Sequence, residues 1–158
     1  MTDEKKKEFT LRISQANSSQ LVVILYELFF FYIEEAETAY TEGDKDGFVK
    51  ELKKSHDCLN ELIASLNPEQ ELAQTLLKFY FYVSARIGAA IGSRRTEPLQ
   101  DPKRLMMRHY EIYKADAAFD ISAPVMDRAQ TVYAGLTYGK KDLIVNQEDG
   151  GSSRGFYA

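Results

Sequence analysis

A single cysteine, Cys58, rules out any disulfide within the chain. Such cysteine usage fits a reducing compartment, and a cytoplasmic location is expected. There are only two histidines, His56 and His109. A ferritin-like di-iron bundle needs Glu-x-x-His on two helices, but Lys53 stands three before His56 and Met106 three before His109. His56 and Cys58, two apart, would point about 200° away from each other on a helix, so they cannot share a metal or form a local nucleophile–base pair. No G-x-x-x-x-G-K-[ST], G-x-G-x-x-G or G-x-S-x-G occurs. No catalytic residue, metal or cofactor is therefore expected. Strong charge of one sign is also missing. The net charge of -4 argues against nucleic acid as a partner. The basic residues Arg94, Arg95, Lys103, Arg104 and Arg108 read as a solvated patch. The opening "MTDEKKKEFT" has no apolar core, so no signal peptide is expected there. The greasiest run, "LVVILYELFFFYI" from Leu21 to Ile33, contains Glu27. It falls short of the roughly 18 apolar residues that a membrane span requires, so no membrane insertion is expected.

What is present is helical periodicity throughout, without a strand pattern or an internal repeat. Residues 1–16 read as a flexible N-terminal arm. "NSSQ" supplies N-caps at Asn17, Ser18 or Ser19 for a helix running to about Tyr40, which ends at Gly43. Asp44 or Asp46 caps a second helix reaching Leu66, with Phe48, Leu52, Leu59, Ile63 and Leu66 at three-to-four spacing. "NPEQE" places a cap at Asn67, proline at the first helical position and acids at the positive end of the dipole, opening a third helix to about Gly92. Asp101-Pro102 repeats that signal for a helix from Lys103 to about Phe119. Pro124 opens a last one to about Leu136. From 138 to 158 the glycine- and serine-rich composition reads as a flexible tail. The expected fold is all-α: an antiparallel up-down four-helix-type bundle over 17–137 with an additional helical segment, because short connections favour antiparallel neighbours.

Two helices are greasier than one core requires. In the first, Leu21, Leu25, Leu28, Tyr32 and Ala39 form the core stripe, while Phe30 and Phe31 fall on its flanks. In the third, Leu72, Leu76, Tyr80, Val83, Ile87 and Ala90 form the stripe, and Phe81 and Tyr82 lie outside it. Two arrangements fit. Either these helices sit centrally and touch neighbours on several sides, or part of the apolar surface is a groove for another chain.

The same residues carry a resemblance. "SSQLVVILYELFFFYIEEA" resembles the first-helix motif of the flagellar secretion chaperones, the FliS family that escorts flagellin, with Leu21 to Glu27 followed by Glu34, Glu35 and Ala36. "LKKSHDCLNELIASLNPE" is similar to the family's second-helix pattern. "TLLKFYFYVSARIGAAI" is similar to the third through Tyr80, Tyr82, Arg86, Ile87 and Ala90. The likeness spans about residues 9–92. Leu28 and Phe29 stand where the family often has glycine, and the segment 101–119 intervenes before "PVMDRAQTVYAGLTYG", the expected last helix.

The resemblance implies a cytoplasmic, non-catalytic chaperone. It would bind the C-terminal segment of flagellin, keep it from polymerising and deliver it to the flagellar export apparatus. On that reading the client-facing anchors are Tyr26, Phe30, Phe81 and Tyr82, joined by Val125, Met126, Val132 and Tyr133 on the last helix. Three or four such anchors, less the ordering cost of a disordered client, leave roughly -8 kcal/mol, about micromolar affinity. Arg86 is expected to pair with an acid of a neighbouring helix. "RGFYA" at the tail's end could fold back over the groove. The alternative is a structural or adaptor bundle that self-associates through the same aromatics.

Overall fold

The computed structural model describes residues 1–125 together with Tyr133 and Leu136. These residues divide between two units, one of 17–122 and one holding 1–16 with residues from 123 onward.

In the larger unit, α2 (Ser18–Thr41) begins at a full capping box. Asn17 Oδ1 accepts from the Gln20 N–H, and the Gln20 side chain accepts from the Asn17 N–H. Asn17 is itself buried, and its amide donates to the carbonyls of Asp120 and Ser122. One side chain thus caps α2 and fastens the far end of the unit. α2 ends at Gly43, whose φ of 77° is the left-handed geometry that glycine adopts without strain. α3 (Lys45–Ala64) follows at once, its Asp44 cap accepting from the Gly47 N–H.

α4 (Ala73–Ser93) starts later than its proline signal suggests. Asn67 uses its side chain on the Glu69 N–H, two residues on, and the Gln70 and Ala73 N–H groups bond three residues back. The segment is thereby spent on successive turns rather than a first helical turn. Leu72, placed in the core stripe by periodicity, consequently sits at the cap position and is 68% exposed. α4 closes on Arg94 in the left-handed conformation, with its guanidinium on the Lys45 carbonyl. A 3-10 turn, Glu97–Leu99, leads directly into α5 (Gln100–Ala117), which takes Pro102 into its first turn.

Side-chain pairs fix the arrangement. Tyr40 meets Phe48 and Tyr32 meets Lys54 between α2 and α3. Tyr26 meets Tyr113, Phe30 meets Tyr110, and Glu37 meets Lys103 between α2 and α5. Phe79 stacks on His109 between α4 and α5, with ring centroids 4.1 Å apart. One number rises as the other falls in the α2–α3 and α2–α5 pairs, and likewise between α4 and α5 when Tyr82–Asp101 joins Phe79–His109, and between α3 and α4 through His56–Ser84 and Lys45–Arg94, so neighbours are antiparallel. Across the centre, the Tyr26 and Tyr80 hydroxyls meet at 2.8 Å, placing α2 and α4 on a diagonal. α2, α3, α4 and α5 therefore form an up-down four-helix bundle, as expected. The segment expected as an additional helix, α5, is the bundle's fourth helix.

In the smaller unit, the expected loose arm is a helix, α1 (Asp3–Gln15). Thr2 caps it by accepting from the Lys5 N–H, Asp3 and Glu4 occupy its first turn, and Phe9 and Ile13, one turn apart, are buried. Within this unit the Val125 N–H donates to the Ala16 carbonyl, and the Tyr133 hydroxyl to the Lys6 carbonyl. Tyr133 and Leu136 are helical and buried, at positions within the last expected helix. The expected boundary at 137 and the expected tail, including "RGFYA", lie outside the described residues.

Candidate functional site

α2 answers for most of its surplus apolar residues internally. Leu21, Val23, Ile24, Leu25, Tyr26, Leu28, Phe29, Tyr32 and Ile33 are all buried. The helix has α3 on one side, α5 on another and Tyr80 of α4 across the core. Tyr26, expected to face a client, has 0% exposure. Its ring packs on Tyr113 and its hydroxyl is spent on Tyr80. Burial pushes the Tyr26, Tyr80 and Tyr113 hydroxyls up from their ordinary value, reinforced for Tyr26 by Tyr80 beside it. Phe30 is half-buried, edge-on to Phe29 and to Tyr110, whose hydroxyl donates to Glu27.

α4 is different. Phe81 is 58% exposed and Tyr82 40%. The two lie 100° apart on the helix and serve different flanks. Tyr82 faces α5, where its hydroxyl donates to Asp101 at 2.7 Å while Arg104 holds the other carboxylate oxygen. These contacts, the tyrosine first, hold the Asp101 carboxyl below its usual value. On the same side Arg86 donates to the Pro98 carbonyl, where a carboxylate of a neighbouring helix was expected, although its charge also favours ionised Asp101.

Phe81 belongs to the other flank. Phe81, Ser84, Gly88 and Ile91 recur at three- and four-residue spacing and so share one face of α4, toward α3. Between α3 and α4 runs a groove of about 450 Å³, lined by Lys53, His56, Asp57, Ser84, Gly88 and Ile91, with Ile87 at its base. A side chain added at Gly88 would meet nothing within 4 Å, so the groove is open there. His56 Nε2 lies 2.7 Å from Ser84 Oγ, and the Asn60 amide nitrogen lies 3.3 Å from His56 Nδ1. This pairing joins residues 28 apart in sequence. No local spacing reports it, because it depends on the register of two antiparallel helices.

The remaining expected anchors fall in the smaller unit or outside the described residues. Tyr133 is buried with its hydroxyl bonded to Lys6, Val125 is half-buried, and Met126 and Val132 lie outside the described residues. A second recess, at the α2–α3 turn, is lined mainly by acids that include Glu35, Glu42, Asp44 and Asp46. No group of three or more His, Cys, Asp or Glu arranged to hold a metal ion occurs among the described residues. Cys58 is fully buried, and burial pushes its thiol well above the ordinary value, away from the reactive thiolate. The basic patch is largely engaged: Arg94 with the Lys45 carbonyl, Lys103 with Glu37 and Arg104 with Asp101. No helix among the described residues is long and apolar enough to cross a membrane.

The fold and groove define an all-α bundle protein that presents an open, mostly apolar helix–helix groove with a small polar centre. Residues 1–118 match the family model described as flagellar protein FliS, and the chain belongs to that family. The match takes in α1 and α5 as well as the motif-bearing helices, so both the arm and the additional helical segment are parts of the family pattern. A comparison with curated proteins gave no match.

Proposed function

We propose that this protein is a cytoplasmic, non-catalytic export chaperone. It holds the C-terminal helical region of flagellin, prevents premature polymerisation and releases the client at the flagellar export apparatus. The observation that carries this reading is Phe81. A large aromatic side chain, 58% exposed, stands on the same flank of α4 as the open groove. Exposed aromatics beside a groove between helices suit an amphipathic guest helix. Tyr82 and half-buried Phe30 are proposed as lesser contacts on the α5 side of the bundle.

The physical task is substitution. A filament subunit carries amphipathic ends that pair with other subunits, and the chaperone offers them an alternative apolar surface. Affinity near micromolar, roughly -8 kcal/mol, suits a partner that must later let go.

Calorimetric titration with a flagellin C-terminal peptide tests the reading, with the variant Gly88→Leu as its control. Wild-type protein should give a saturable one-to-one response. Gly88→Leu should fill the groove and abolish that response. Its stability should be unchanged or raised by up to about 1 kcal/mol, because leucine is the better helix former. A silent titration accompanied by a concentration-dependent dimer would overturn the chaperone reading in favour of self-association through the aromatic face.

A further inference from the structure

The groove has a feature that an apolar trough does not need. His56 and Ser84 are both half-buried and bonded to each other at its centre. The Asn60 amide beside Nδ1 makes that nitrogen the acceptor, so Nε2–H donates to Ser84 Oγ. Elsewhere in these helices hydroxyls return their proton to a carbonyl three or four residues back. Ser55, Ser65, Ser93 and Thr38 all do so. Ser84 makes no such bond among the described residues, so its hydroxyl proton is left for the groove.

The lip is polar in an ordered way too. Lys53 and Asp57 lie one helical turn apart on α3, and among the described residues neither forms an ion pair. Along α4, Phe81 precedes Ser84 by three residues and Ile87 and Ile91 follow by three and seven. At 1.5 Å per residue the apolar contacts therefore sit about 4.5 Å before the hydroxyl and about 4.5 to 10 Å after it.

We propose that the Ser84–His56 pair sets the register and specificity of the client groove. It selects a guest helix that presents a hydrogen-bond acceptor, an Asn, Gln, Ser or Thr side chain, between two apolar anchors. An acidic residue of the guest faces Lys53 and a basic one faces Asp57. This rests on the groove being the client site. A guest that slides by one turn would set an apolar residue on the Ser84 hydroxyl and leave that donor unsatisfied, which is the cost that discriminates. Discrimination by a polar group of this kind is stronger than by a methylene of fit.

The test is a double-mutant cycle. A flagellin C-terminal peptide and a set of its variants, each with one Asn, Gln, Ser or Thr replaced by Ala, are titrated into wild-type protein and into Ser84→Ala. Thermal melts check that Ser84→Ala remains folded. One peptide position should lose about tenfold in affinity against wild type and nothing against Ser84→Ala. His56→Phe should weaken that same position's effect by releasing the hydroxyl from its orientation. If the parent peptide binds and every position loses equally against both proteins, the register role is overturned while the chaperone reading stands. If the parent peptide does not bind wild-type protein at all, both fall together.

Discussion

α2 and α4 are the two greasy helices of the bundle, lie diagonally across it and meet through a pair of tyrosine hydroxyls, yet one is closed and the other open. α2 has packed helices on two sides and a tyrosine across the core, so even Phe29, Tyr26 and Ile33 are buried. α4 packs against α3 and reaches α5 mainly through long side chains, with Phe79 on His109 and Tyr82 on Asp101. Its far flank, with Phe81, Gly88 and Ile91, has no further helix of the larger unit to cover it. Apolar composition alone does not make a docking surface; a surface is left where apolar residues exceed the number of neighbours.

The contrast is broken most directly by matched truncations. Phe29→Ala should cost about 3–5 kcal/mol of stability, read by urea denaturation, because it opens a cavity in a closed core. Phe81→Ala should change stability by less than about 0.5 kcal/mol and instead weaken peptide binding about tenfold or more. Equal destabilisation by the two would mean that α4 is as enclosed as α2.

A second measurement sharpens the interior of the comparison. Tyr26, Tyr80 and Tyr113 have hydroxyl values raised by burial. Protonated tyrosine is the neutral form, so their stabilisation is complete below the unfolded value of about 10. It is lost as pH rises beyond that point, because the unfolded chain then releases protons that the folded chain keeps. Stability should fall steeply above about pH 10, with tyrosinate absorbance appearing together with unfolding. Tyr26→Phe should blunt that slope. Tyrosinate appearing fully before unfolding would show that the cluster is open to water.

The smallest effect concerns the end of the closed helix. Asn17→Ala removes the α2 cap and the bonds to the Asp120 and Ser122 carbonyls, and should cost about 1–2 kcal/mol without altering peptide affinity. A loss of affinity equal to that from Phe81→Ala would show that the two regions are not separate.

Much of the bundle was legible because helix signals are local. Asn17 and Asp44 act as caps where expected, Gly43 ends α2, and the core stripes of α2 and α4 are buried apart from exposed Leu72 and half-buried Leu76. The family motifs were equally plain from Leu21 to Ala90. α1 was missed although Thr2, Asp3, Glu4 and the Phe9–Ile13 pair marked it, because its abundant lysines resemble a solvated arm. The site was only partly visible. Phe81 and Tyr82 were found together as off-stripe aromatics, but their separate roles depend on which helix faces each flank. Local spacing sets His56 only beside Lys53 and Cys58, whereas its partner Ser84 lies on another helix.

Helix identity, most helix ends and family membership follow from residues within a few turns of one another, since capping and amphipathic spacing act at that range. Which helix became the fourth, which aromatics were buried and where a groove remained were set by how the helices pack. Burial is a property of pairs of surfaces: Tyr26 and Phe81 look alike in the chain, and only the presence of Tyr80 and Tyr113 over one of them makes it core.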